Sequence, residues 1–97
     1  MTEWWTFNLS NMKENLILQK TKAFSLSCID LYQKLQSKKE YILSVQMLRS
    51  STSIGANVHE ADGWQSRKDF YAKICIAYKE ARETLYWLEL LEESKIA

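Results

Sequence analysis

From Arg67 to Ser94 neither proline nor glycine interrupts the chain, and apolar residues recur along it on two separate faces. Phe70, Ile74, Ala77, Ala81, Leu85 and Leu88 keep the three- and four-residue spacings of one face of a 3.6-residue helix. Ala72, Ile76, Trp87 and Leu90 form a second stripe on a different side. Such a helix spans roughly 40 Å at 1.5 Å per residue. Apolar surface on two sides must be covered on two sides, so the chain is constrained to a helical bundle. Two partner helices are not expected to suffice.

The rest of the chain follows the same rhythm. Proline is absent from all 97 residues, and no long stretch alternates with the period of a strand. The first helix is predicted over about 11–36, with Ile17, Phe24, Cys28, Leu31 and Leu35 on one stripe. Ser37 is placed to cap the second, about 38–62, where Tyr41, Val45, Leu48, Thr52, Gly55 and His59 keep step with Ile42 beside them. Gly63 suits a left-handed residue past a helix end. Ser66 with Asp69 resembles a capping box that opens the third helix, about 67–94. The expected fold is all-α, an antiparallel up-down bundle forming one domain over residues 1–97, preceded by an aromatic arm, residues 1–10, carrying Trp4, Trp5 and Phe7.

Charge and cysteine usage narrow the function classes. A formal net charge of +1 with 26% charged residues gives no general attraction to polyanions, so any nucleic-acid contact needs a local patch. Cys28 and Cys75 have no metal-ligand spacing and read as two reduced core thiols rather than a disulfide. No apolar run approaches the roughly 20 residues of a membrane span. The stretch "MTEWWTFNLS" lacks the basic-then-aliphatic pattern of a secretory signal. A cytoplasmic protein without membrane contact is the expectation.

Two stretches invite a catalytic reading. His59, Glu60 and Asp62 lie close in sequence, but on a helix His59 and Glu60 point about 100° apart, and neither HExxH nor paired ExxH spacing is present. Ser50, Ser51, Thr52 and Ser53 lack a nucleophile elbow and any base at helical spacing. Small residues explain this run better. Thr52, Gly55 and Ala56 make a shallow helix surface for close packing, and buried hydroxyls can return their bonds to the preceding turn. Asn57 is the candidate for a polar bond to a helix across the interface. Basic residues gather at Lys38 and Lys39 with Arg49, at Arg67 with Lys68, and at Lys79 with Arg82. These are solvated faces or, multiplied by oligomerisation, a phosphate-contacting surface.

The run "LRSSTSIGANVHEADGWQSRKDFYAKICIAYKEARETLYWLELL" resembles the four-helix-bundle family of proteins encoded in intervening sequences of bacterial 23S rRNA genes. The resemblance rests on Arg49, Ser53, Ile54, Asn57, Glu60 and Ala61, on the Ser66, Asp69 and Phe70 helix start, and on Ile76, Ala77, Glu83, Trp87 and Leu88. "MKENLILQKTKAFSLSCIDLYQKL" also fits the family's first helix. The resemblance implies a ring-like homo-oligomer, pentameric in known members, and no enzyme. The family's fourth helix is expected to be missing or truncated here. Similar proteins include the accessory subunit of diversity-generating retroelements, a basic pentamer that binds nucleic acid and a reverse transcriptase.

These readings converge on a non-enzymatic, self-associating bundle with no cofactor, no metal and no small-molecule substrate. Helix packing and assembly are assigned to Thr52, Gly55, Ala56, Asn57, Ile76, Trp87 and Leu90. Nucleic-acid contact is assigned to Arg49, Arg67, Lys68, Lys79 and Arg82, with RNA or a ribonucleoprotein as partner. The alternative is an interaction bundle that docks a protein such as a polymerase through an exposed apolar patch, with Trp64 among its residues.

Overall fold

The computed structural model describes residues 15–63 and 66–96. They form three helices: α1 (Leu16–Ser37), α2 (Leu43–Asp62) and α3 (Arg67–Glu93). The aromatic arm and Trp64 lie outside the described residues. Each helix begins where a side chain meets free backbone amides. Asn15, in extended backbone, accepts through Oδ1 from the amides of Ile17 and Leu18 at 3.0 and 3.3 Å. Ser66 accepts from the Asp69 amide at 3.1 Å, as its sequence context predicts, and donates its hydroxyl to Asp69 Oδ2 at 2.8 Å.

Helix α2 departs from expectation. Ser37 does not cap it, because the Ser37 hydroxyl turns back to the Lys34 carbonyl at 2.7 Å. The Glu40 carboxylate does the work instead, accepting from the amides of Ile42, Leu43 and Ser44 at 3.2, 2.9 and 2.7 Å. A carboxylate can receive several amides at once, and the positive end of the helix dipole favours its charge.

Helices α1 and α3 end alike. Lys39 N–H bonds Gln36 O at 2.9 Å and Glu40 N–H bonds Leu35 O at 2.9 Å; Lys95 and Ile96 repeat the pattern on Glu92 and Leu91 at 3.1 and 3.2 Å. This paired closure needs a left-handed residue after the cap, and Lys39 (φ 64°) and Lys95 (φ 61°) supply it. Gly63 does not take the left-handed role expected of it. Its φ is −88°, and its N–H bonds Glu60 O at 3.2 Å, tightening the last turn of α2 without a left-handed residue.

Helix α2 packs against both others, antiparallel to each, while α1 and α3 do not pack directly on one another among the described residues. The molecule is only 18 Å through its thinnest direction, less than two helix diameters. One core cluster joins Cys28, Leu35, Met47 and Leu91, with Leu31, Tyr32, Leu43, Trp87, Leu88 and Ile96 against it. A smaller one joins Leu18, Val58 and Ala77, with Ile74 beside them.

The buried faces coincide only in part with those the apolar rhythm predicts, and α2 departs most. In α2 the inward residues are Ser44, Met47, Ser50, Ser51, Val58 and Ala61, whereas Tyr41, Ile42, Val45 and His59 are exposed. In α1 Leu18 is buried and Ile17 is not; in α3 Ala77, Thr84 and Leu91 are buried while Phe70 and Leu85 are exposed. Other expected core residues hold their places: Cys28, Leu31 and Leu35 on α1 and Ile74, Ala77 and Leu88 on α3 are buried or packed against the core. Cys28 is buried as expected, but Cys75 is exposed, and both are free thiols. Burial raises the Cys28 thiol pKa, softened by a hydrogen bond with Ser51.

Candidate functional site

The hydroxyl run resolves into packing chemistry. Thr52 Oγ1 returns to Leu48 O at 2.8 Å, Ser51 Oγ to Leu48 O at 3.1 Å and Ser50 Oγ to Met47 O at 3.3 Å. Thr84 Oγ1 lies 2.8 Å from both Ser50 Oγ and Glu80 O, linking α2 to α3 through buried hydroxyls. With their bonds closed locally, serines can be buried at little cost, and the helices can approach closely. Gly55 answers to α1 of the same chain: a Cβ there would sit 3.4 Å from Ser25 Oγ and 3.5 Å from Thr21 O.

The other residues assigned to packing are dispersed. Ala56 is exposed. Asn57 does not bond across an interface through its amide; Nδ2 donates to Ser53 O of its own helix at 2.8 Å, because that carbonyl one turn back is within easier reach. Ile76 is exposed, whereas Trp87 and Leu90 are half-buried. Trp87 Nε1 donates to Glu83 Oε2 at 2.9 Å.

The basic candidates divide sharply. Arg49 pairs with Glu83, and its Nη1 lies 3.6 Å from Glu80 Oε2, so α3 offsets its charge while about half of its side chain, 51%, stays exposed. The indole N–H of Trp87, then Arg49, hold the Glu83 carboxyl below the usual carboxylate range against the opposing effect of burial. Lys73 is likewise paired, with Glu60 at 2.6 Å. Arg67, Lys68, Lys79 and Arg82 are exposed and have no acidic partner within salt-bridge distance among the described residues.

Those four cations share one side of α3. At about 100° per residue, Asp69 and Glu80 turn roughly 80–100° or more away from it, while Glu83 lies at its edge, one turn past Lys79, and is engaged by Arg49 and Trp87. Between Arg67 and Tyr86 this side carries no other carboxylate; the next is Glu89. Tyr71, Tyr78 and Tyr86 are interleaved with the cations and more than half exposed. The Arg82 guanidinium lies 6.0 Å from the centre of the Tyr78 ring, with Nη1 3.4 Å from the Tyr78 hydroxyl. The tyrosines went unassigned in the sequence, although their seven- and eight-residue spacing was the signal available.

The His59, Glu60 and Asp62 triplet does not converge. His59 is exposed, Glu60 turns to Lys73, and Asp62 Oδ1 accepts from Asn15 Nδ2 at 3.2 Å. Among the described residues no group of three His, Cys, Asp or Glu side chains is placed to hold a metal ion. No helix among them is long and apolar enough to cross a membrane.

Comparison with known proteins matches residues 13–97 to the model of a family described as 23S rRNA-intervening sequence protein. The crystal structure at 1.70 Å resolution of a protein with unknown function from the S23 ribosomal protein family of Bacteroides thetaiotaomicron VPI-5482 superposes with a TM-score of 0.82. It is 47% identical over 84% of this chain and 77% of its own. No curated protein matches.

Proposed function

The chain belongs to the 23S rRNA-intervening sequence protein family, and from that premise we propose a non-enzymatic helical bundle that self-associates and contacts RNA or a ribonucleoprotein through α3. The carrying observation is the amount of apolar surface that the three helices leave uncovered. Leu16 and Ile17 at the start of α1, Ile42 at 76% exposure before α2, and Ile76 on α3 are all large and solvent-facing. Surface of this kind marks an interface. A closed ring of copies, pentameric by family resemblance, would cover it while leaving the basic side of α3 outward in every subunit. Cytoplasmic location accords with such a partner.

The non-enzymatic reading rests on how the candidate catalytic groups are used. The hydroxyls of Ser50, Ser51 and Thr52 are engaged within their own helix, and the carboxylates nearest His59 are engaged elsewhere. Light scattering behind a sizing column tests assembly: an oligomer at micromolar concentration is expected, and a stable monomer contradicts it. Filter binding to structured RNA at two salt concentrations tests the partner, with affinity falling as salt rises. A protein partner such as a polymerase is the second reading, favoured by the same exposed apolar residues should they stay uncovered after assembly.

A further inference from the structure

We infer that the outer side of α3 is a binding strip for single-stranded nucleic acid, whose bases stack on Tyr71, Tyr78 and Tyr86 while Lys68, Lys79 and Arg82 pair with its phosphates. The inference rests on the RNA-contact reading and deepens it by naming the form of nucleic acid and the groups that hold the bases.

Three observations carry it. First, two pairs of cations and three rings share one side of one helix in the order Arg67, Lys68, Tyr71, Tyr78, Lys79, Arg82, Tyr86, over roughly 28 Å at 1.5 Å per residue. The acids of that stretch are turned away or occupied: Asp69 bonds Ser66 at the helix start, Glu80 faces Arg49, and Glu83, at the edge of the strip, is engaged by Arg49 and Trp87. The near-zero net charge of the chain therefore conceals a segregated surface. Second, part of the arrangement works against the helix itself. Lys68 and Arg67 stand at the positive end of the helix dipole, where cations are disfavoured. Tyr78, 62% exposed, gives its ring and hydroxyl to Arg82 rather than to the core. Third, the spacing of the rings selects the ligand. Successive tyrosines lie about 10–12 Å apart along the axis, far more than the 3.4 Å between stacked bases of a duplex strand. Rings so separated cannot enter a paired stack, but they can each receive a base splayed from a flexible single strand. Neither stacking nor phosphate pairing reads the 2′-hydroxyl, so RNA and DNA single strands bind alike.

Fluorescence anisotropy with the full chain tests this, using a labelled single-stranded RNA, the DNA of the same sequence, and the RNA duplex, each titrated at several salt concentrations. Both single strands are expected to bind more tightly than the duplex. Tyr78→Leu, which keeps bulk on an exposed site, weakens binding roughly tenfold with the salt slope unchanged. Tyr78→Phe, which keeps the ring, restores it. Lys79→Gln lowers the salt slope by about 0.7. Thermal melts of each variant confirm that the fold is intact. Equal affinity for the duplex, or full binding by Tyr78→Leu, overturns the stacking strip and leaves the RNA-contact reading standing. Failure of all three probes at low salt overturns both.

Discussion

Where α1 and α3 finish, Leu35, Met47 and Leu91 are sealed from solvent, Ile96 folds back onto them, and Lys38 Nζ reaches the Ile96 carbonyl at 3.3 Å. At the opposite end, where α1 and α3 begin, the core is Leu18, Val58 and Ala77, two of them small. Polar side chains assist it there: Asn15 with Asp62, and Lys73 with Glu60. The first end is held by dispersion and area removed from water, the second by a thin core and by exposed pairs that are individually weak. Leu16, Ile17, Phe70 and Tyr71 are all exposed near the thin end. The deficit in the chain's own packing and the surplus of uncovered apolar surface coincide.

Mutations in the two cores give the largest contrast. Met47→Ala should cost about 2–5 kcal/mol, since no part of Met47 meets solvent and the cavity lies between three helices. Val58→Ala should cost only about 1–2 kcal/mol. Denaturant titration at fixed protein concentration measures both, and equal losses would erase the distinction between the ends.

Next in size is the carboxylate that starts α2. Glu40→Ala removes the acceptor for three amides and should cost about 1 kcal/mol. Burial works to raise the Glu40 pKa, but the amides of Leu43, Ser44 and Ile42 outweigh it and hold it below its ordinary value. A depressed carboxyl contributes stability above its unfolded pKa and loses it as pH falls through the folded one. The gap between wild type and Glu40→Ala should accordingly close in acid, and a pH-independent gap would mean that charge plays no part.

The lysines in left-handed backbone allow the well-packed end to be improved. Lys39→Gly or Lys95→Gly should each stabilise by about 1 kcal/mol, because a Cβ is disfavoured in that conformation. A lowered melting temperature would show that the lysine contributes more than its backbone costs. The smallest effect belongs to the thin end: Glu60→Gln should cost under about 0.5 kcal/mol and vanish at high salt. A larger, salt-resistant loss would promote that pair from accessory to structural.

The sequence disclosed the helices more readily than their orientation. The Ser66 cap, the break before α3 and the helical character of Ser50–Ser53 follow from local chemistry that nearby residues state in full. The buried side of α2 does not. A helix flanked by two others needs close approach, and Ser44, Ser50, Ser51 and Ala61 provide it without raising hydropathy. Tyr41, Ile42 and Val45 raise hydropathy yet face outward. Rhythm in apolar residues thus located exposed apolar surface as well as core. Arg49 misled for a related reason: its pairing depends on Glu80 and Glu83, which only folding brings opposite.

The bond between Ser50 and Thr84 has a mechanical consequence. A seam of small side chains offers little steric resistance to sliding along its axis, unlike one of interlocked bulky residues. Beyond the bulky packing of Met47 on Leu91, register between α2 and α3 along the small-residue stretch is set by directional contacts, and two lie within a turn of each other: this hydroxyl pair inside, and the guanidinium of Arg49 between two carboxylates. Together they act as a bolt that locks the register of α2 against α3.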